Sequence, residues 1–198
     1  MVPLSVLALN YEYPPLGGGG ATAHQALLNE MTSDGSCRVL LITANQEDRQ
    51  SEERIGGFLT VRRIPVGKRD PRYWRRMEVL RYIIGANREV ARSLDQNEFD
   101  VCHAFFGIPS GLIAYRYRGV LPYVLSLRGS DVPGYNQRFS LDHRLLKPLV
   151  RRSWQAAHTV VANSEGLRNQ ALQAFPDVPI DVIPNGIDVE MFKPAPRE

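Results

Sequence analysis

Short apolar runs of strand length alternate along this chain with longer segments of helical period, and no other feature constrains the fold as much. Leu4–Leu9, Cys37–Thr43, Phe58–Pro65, Phe99–Phe106, Pro122–Leu127, Thr159–Ala162 and Ile180–Ile183 read as strands. Between them, Ala21–Met31, Tyr73–Leu94 and Ser110–Tyr117 read as helices, followed by one from Ser140 through Trp154 and one from Ser164 to Phe175. The expected buried face is Ala21, Ala26, Leu27, Leu28 and Met31 in the first helix. In the second it is Val79, Leu80, Ile83, Ile84, Val90 and Leu94, while polar Asn45–Arg54 reads as a solvated loop. Such alternation implies right-handed crossovers and an α/β architecture, a three-layer, mostly parallel sheet with helices on both faces. In such a sheet ligands bind beyond the carboxyl ends of the strands. The residues to inspect are therefore in Tyr11–Gly20, Phe105–Ser110, Arg128–Tyr135 and Asn163–Glu165.

Composition is consistent with one packed domain: 198 residues, 43% of them hydrophobic and 23% charged. No stretch approaches the roughly 18 apolar residues of a membrane-crossing helix. The start, Met1–Leu9, lacks a basic n-region and reads as a buried strand, not a secretion signal. Cys37 and Cys102 stand alone on separate strands, away from any metal-ligand spacing, as buried thiols of a reducing compartment would. A cytoplasmic protein is the expectation.

Gly17-Gly18-Gly19-Gly20 comes just before a helix. Four missing Cβ atoms let backbone N–H groups approach a ligand, and a helix N-terminus favours an anion there. A Walker A loop would need Gly-Lys-Ser/Thr, and Ala21-Thr22-Ala23 follows instead. A dinucleotide fingerprint on Gly18-x-Gly20-x-x-Ala23 fits poorly. Residues 10–17, Pro14 and Pro15 among them, separate it from Leu9, and no acid ends the second strand.

Five segments occur in a fixed order: Tyr13-Pro14-Pro15 with the glycine run, Asp100–Ala104, Leu127–Val132, Val161–Ser164 and Val182–Asp188. Together they resemble the N-terminal domain of the retaining glycosyltransferases of GT-B fold known as family 4. The resemblance runs from Leu4 to about Pro194. It implies a Rossmann-like domain over residues 1–182 that serves the acceptor, with residues 183–198 beginning a linker to a C-terminal donor-binding domain. It also implies a nucleotide-sugar donor as co-substrate, a saccharide or lipid-linked acceptor, and no obligatory metal, since the chain has no Asp-x-Asp pair. By this resemblance the fragment alone is inactive.

Carried over residue by residue, the resemblance seats the donor diphosphate at Gly17, Gly18, Gly19 and Gly20. It assigns Arg128, Asp131 and His103 to catalysis, and His24, Ser130, Tyr135, Asn163 and Ser164 to the acceptor. Asn185-Gly186 becomes the hinge. Arg128 departs from the family's usual histidine. A guanidinium stays protonated and cannot be a base, but it can clamp a phosphate or carboxylate; the alternative is a local pair with Asp131. Asn163 and Ser164 also suit helix capping, His24 also suits the packed side of its helix, and His103, a lone histidine on a strand, also suits a structural role or the wall of the acceptor pocket.

The net charge of +3 conceals a basic segment: residues 62–92 hold ten basic side chains against Asp70, Glu78 and Glu89, with Tyr73 and Trp74 among them. Arginines interleaved with aromatics suit an anionic membrane surface, so peripheral attachment is the expectation. The same segment leaves a nucleic-acid-binding module as an alternative, although no nucleic-acid motif accompanies it. An NAD-type oxidoreductase domain is the other.

Overall fold

The structure is a computed structural model that describes residues 2–134 and 140–189, with only the backbone described over residues 140–145. Eight strands are present: β1 Leu4–Leu9, β2 Cys37–Asn45, β3 Ser51–Ile55, β4 Leu59–Pro65, β5 Val101–Phe105, β6 Tyr123–Leu127, β7 Thr159–Ala162 and β8 Asp181–Val182. Five α-helices accompany them among the described residues: α1 Gly19–Ser33, α2 Arg76–Gln96, α3 Leu112–Arg116, α4 Ser140–Gln155 and α5 Glu165–Ala174, with a π-helical turn at Gly107–Gly111. One sheet holds every strand in the order β3-β4-β2-β1-β5-β6-β7-β8, parallel except for the β3–β4 pair. The expected α/β fold with a parallel sheet is therefore present.

Strand pleating divides the core. Leu7, Leu9, Ile42, Ala104, Leu125 and Leu127 face one way and pack with Tyr82, Ala86 and Val90 of α2, Ile113 of α3, and Val150 and Trp154 of α4. Val6, Ala8, Val39, Leu41, Leu59 and Val61 face the other way, against Leu28 of α1. Alternate residues on neighbouring strands reach opposite faces because the side-chain period of a strand is two.

Three local expectations are corrected. Residues 51–55 are not loop but an antiparallel edge strand, paired Ser51 to Arg63 through Ile55 to Leu59. Its charges pair across the strands, with Arg62 at 2.8 Å from Glu52, and charged residues are well suited to a sheet edge. In α1 the buried residues are Ala21, His24 and Leu28, while Ala26 and Leu27 are exposed; a polar histidine occupies the place the apolar count missed. In α2 the buried face is Glu78, Tyr82, Ala86, Glu89, Val90 and Ser93, which turns Leu80 and Ile84 outward.

Two buried carboxylates explain that rotation. Glu78 accepts from Lys68 Nζ at 3.0 Å and from the backbone of Arg75, and Glu89 meets Arg62 at 3.3 Å. Lys68 also lies 3.8 Å above the Trp74 ring, which packs edge-on against Tyr11 at 4.7 Å. Part of the basic segment is thus neutralised internally, and Trp74 packs half-buried against the core.

Candidate functional site

From β1 the chain runs outward through β2, then to the far edge at β3 and back to β4, before returning to β5 on the other side of β1. The loops after β1 and β5 leave the sheet in opposite directions at this switch point, which opens a crevice at the carboxyl ends. The register fixes which groups meet there. Ala8 is level with His103, and Leu9 with Ala104, so Asn10 and Phe105 follow at the rim. Phe105 is level with Ser126 of β6, which puts Arg128 one pleat beyond on the same face.

The glycine loop enters this crevice through Asn10–Gly18. Gly17 has φ +94°, and an added Cβ would lie 2.8 Å from Glu12 Cβ, so glycine is required there on two counts. Its N–H donates to the Pro71 carbonyl at 2.9 Å. At Gly20 an added Cβ would lie 2.8 Å from the edge of the Phe106 ring, which is how the β1 and β5 loops close on each other. A Cβ added at Gly18 or Gly19 would meet nothing within 4 Å among the described residues. Gly19 and Gly20 open α1, where the first N–H groups have no acceptor within the helix. Gly17→Ala is therefore expected to cost about 1–2 kcal/mol from φ alone, with Gly19→Ala close to neutral, in paired urea titrations.

Behind the loop lies a stack of rings. His24 is fully buried and lies parallel to Phe105, with centroids 4.1 Å apart and planes at 14°. The Arg128 guanidinium also lies over Phe105, 3.9 Å from its centroid. Asn10 Oδ1 accepts from Glu12 N–H, which orients the amide so that Nδ2 donates to His24 Nδ1 at 3.0 Å. His24 is then the Nε2–H tautomer, and that N–H has no partner. His103 Nε2 bonds Ser126 Oγ at 2.9 Å. Burial, with the Arg128 charge nearby, lowers both histidines; His103 falls to about 4, and His24 well below the ordinary histidine range, His103 adding to its lowering. Both are neutral at pH 7.

Asp131 does not form an ion pair with the Arg128 guanidinium. It is buried, and its carboxylate accepts three backbone N–H groups: Gly107 at 2.6 Å, Arg128 at 3.0 Å and Gly129 at 2.8 Å. Burial raises its pKa and those amide bonds oppose the rise. One side chain thereby ties the β5 loop to the β6 loop. Half-buried Ser130 sits between Gly129 and Asp131 in the same turn.

Arg128 continues outward, where its Nη1 donates to Asn185 Oδ1 at 2.6 Å. Arg128 lines a pocket of about 260 Å³ together with Asn163, Ser164, Gly166, Leu167 and Gln170. Ser164 Oγ accepts from Leu167 N–H at 3.2 Å, the capping bond expected of it at the start of α5. A larger concavity of about 520 Å³ lies at the opposite, amino ends of the strands, between residues such as Arg38, Arg54 and Asn97, and contains none of the site residues. Asn185 and Gly186 are exposed, in an extended segment after β8. Tyr135 lies outside the described residues, as do 190–198.

The structure thus brings Gly20, His24, His103, Arg128 and Asp131 to one rim, with Asn163 and Ser164 on its β7 side. Sequence reasoning passed over Asn10 and Ser126, and it gave no role to Tyr11, Glu12, Phe105 or Phe106, although all four fall in the loops it marked for inspection. Tyr11 packs on Phe106 at 5.3 Å, and Phe106 has φ +79°, a strained conformation for an aromatic residue. Burial raises the Glu12 carboxyl at the glycine loop, while Tyr11, Lys68 and Gly18 act against the rise. The available signal was position: all of these residues lie at the carboxyl end of a strand or within three residues beyond it.

The family model described as Glycosyltransferase Family 4 matches residues 17–191. None of the curated proteins compared matches the chain. Among solved structures, a sucrose-phosphate synthase from Thermosynechococcus elongatus is similar at TM-score 0.61 and 12% identity, over 94% of this chain and 92% of that one. An alpha,alpha-trehalose-phosphate synthase (UDP-forming) from Burkholderia vietnamiensis is similar at TM-score 0.55 and 13% identity, over 96% of this chain and 50% of that one. An E. coli protein described as trehalose-6-phosphate, bound with UDP-2-fluoro glucose, is similar at TM-score 0.56 and 13% identity, over 94% and 50%. The chain spans half the length of the last two. At these identities the likeness concerns the fold, a Rossmann-like half of the GT-B type.

Proposed function

This chain belongs to glycosyltransferase family 4, and on that premise we propose that it is the acceptor-side half of a retaining, nucleotide-sugar-dependent transferase. The observation that carries the reading is the convergence of the glycine loop, the Phe105–Phe106 turn and Arg128 at the sheet's switch point. The helix-opening N–H groups at Gly19 and Gly20 suit a donor diphosphate, and the UDP-sugar in the E. coli neighbour agrees with such a donor. A second domain following residues 183–198 holds most of the donor, and transfer needs no obligatory metal. The chain alone is inactive. Neither the nucleic-acid nor the dinucleotide alternative is favoured by any observation.

The test is transfer from nucleotide sugars by a longer protein in which a second Rossmann-like domain follows this chain, with the product anomer read by NMR. Retention supports the reading. Inversion, or transfer by the 198-residue chain alone, overturns it. Gly19→Ala, which adds a methyl to open space on the ligand side, is expected to keep the fold and lower donor affinity at least tenfold.

A second observation favours membrane attachment. Met77, Leu80 and Ile84, at helical spacings of three and four, are 58%, 46% and 46% exposed on one face of α2, and Tyr73 just before it is 64% exposed. Arg69, Arg72, Arg75 and Arg88 lie near this stripe in the chain with no carboxylate at ion-pair distance among the described residues. An apolar stripe bordered by arginines complements anionic lipid headgroups. No helix of the described residues is long and apolar enough to cross a membrane. Co-sedimentation with phosphatidylglycerol vesicles, several-fold above phosphatidylcholine vesicles and lost in Leu80→Ser/Ile84→Ser, is expected. Equal binding to both lipids would defeat this.

A further inference from the structure

Arg128 poses a problem that the transferase reading alone does not resolve. Taking a guanidinium out of water is costly unless an anion accompanies it. Here burial lowers the Arg128 pKa to about 10, so the group remains charged at pH 7. The charge of nearby Asp131 opposes that lowering through space, but its oxygens are committed to three backbone amides and neither lies at ion-pair distance. Among the described residues no carboxylate lies at ion-pair distance from Arg128, and its Nε is buried without a hydrogen-bond partner. The contacts it does make are neutral: the Phe105 face at 3.9 Å and the Asn185 amide oxygen at 2.6 Å. They hold the guanidinium in place without balancing its charge.

The rest of the pocket has the same character. Asn163, Ser164, Gly166 and Gln170 line it with amide, hydroxyl and backbone groups, and no acid is among the lining residues. Glu165, which opens α5, pairs with Arg168 at 3.1 Å. The pocket also lies at the start of α5, where the helix dipole adds to the positive potential. At about 260 Å³ it has room for a phosphate or carboxylate with part of a sugar ring.

We propose that this pocket, between the ends of β6 and β7, seats an oxyanion carried by a substrate, a phosphoryl or carboxylate group bound by the Arg128 guanidinium. This rests on the transferase reading only for the word substrate; the anion seat stands on the geometry. It is separate in the fold from the glycine loop, which follows β1. The acceptor and the donor are the two possible sources of the anion.

The test is a chemical-shift titration of the 198-residue chain at fixed ionic strength, following the amides of residues 163–170. Inorganic phosphate is the first probe, followed by glucose, glucose 6-phosphate and UDP. Saturable shifts with phosphate are expected, weakened at least tenfold in Arg128→Gln. Gln170→Glu, which preserves shape and puts a carboxylate in the pocket, is expected to weaken them likewise and covers the case of an unfolded Arg128 variant. If glucose 6-phosphate competes with phosphate and UDP does not, the anion belongs to the acceptor; the reverse assigns it to the donor. Absence of saturable shifts, or equal affinity in well-folded Arg128→Gln, overturns the proposal. Phosphate binding here together with failed transfer by the longer protein would sink the transferase reading and leave the anion seat intact.

Discussion

Asp131→Ala is expected to destabilise the protein by about 4 kcal/mol, a large part of the roughly 5–15 kcal/mol that a domain has in total. The carboxylate accepts N–H groups from Gly107, Arg128 and Gly129 at 2.6–3.0 Å, and hydrogen bonds to a charged group are worth about 1.5–3 kcal/mol each, without simple additivity. Alanine leaves the three donors without their acceptor, two of them on buried glycines. Asn is expected to cost about half as much. Its amide oxygen can retain the two bonds now made to Oδ1, while its NH₂ confronts the Gly107 N–H. For a chain of this size the alanine variant should melt roughly 10 °C lower. Urea titration and a thermal scan check both values, and an alanine variant within about 1 kcal/mol of wild type would refute the anchoring role.

Acid is the second large lever. His24 and His103 are buried and neutral, with pKa values lowered chiefly by burial. A base whose folded pKa lies below its unfolded value of about 6.5 gives its full stability above that pH. The contribution is lost as pH falls, because the unfolded chain takes up the proton first. For His103, with a folded pKa of about 4, the loss between pH 6.5 and 4 is on the order of 3 kcal/mol; His24 adds to it in the same direction. Burial raises Glu12 and Asp131 instead, so these carboxyls take up protons in the folded state first and offset part of the loss at the acid end. The measurement is unfolding free energy at pH 7, 6 and 5 for wild type and His103→Gln. The wild-type slope should exceed the variant's by up to about 1.4 kcal/mol per pH unit. Parallel profiles would show that His103 does not titrate in this window.

The two expectations differ in how far the sequence had prepared them. Asp131 stood in a conspicuous Arg-Gly-Ser-Asp loop, and its membership in the rim was legible there. Its work was not: the Gly107 amide that it accepts is 24 residues away and meets it only because β5 and β6 are neighbours. His24 was legible as a residue of the glycine-loop helix that suits its packed side, and it is buried there, but its ring partners Phe105 and His103 lie about 80 residues away and no spacing announces them. The α2 stripe misled for a related reason. Buried Glu78 and Glu89, held by Lys68 and Arg62, rotate the helix so that Leu80 and Ile84 turn outward. The edge strand at 51–55 is nearly all polar, and its pairing came from its neighbour β4.

By itself, the sequence determined the layers and the rim. Alternation with period two in strands and near four in helices is local, and with right-handed crossovers it dictates a parallel sheet whose sites lie at the carboxyl ends. Ordered motifs in the rim loops were enough to show the family resemblance. Tertiary structure alone decided which rim residues meet. Strand order places β5 beside β1, and that long-range choice stacks His24 and Arg128 over Phe105 and closes Phe106 onto Gly20. It also commits Asp131 to backbone amides and leaves Arg128 a partly buried charge with no carboxylate partner among the described residues. A charge is balanced or unbalanced only by what surrounds it in space, and no spacing along the chain encodes that.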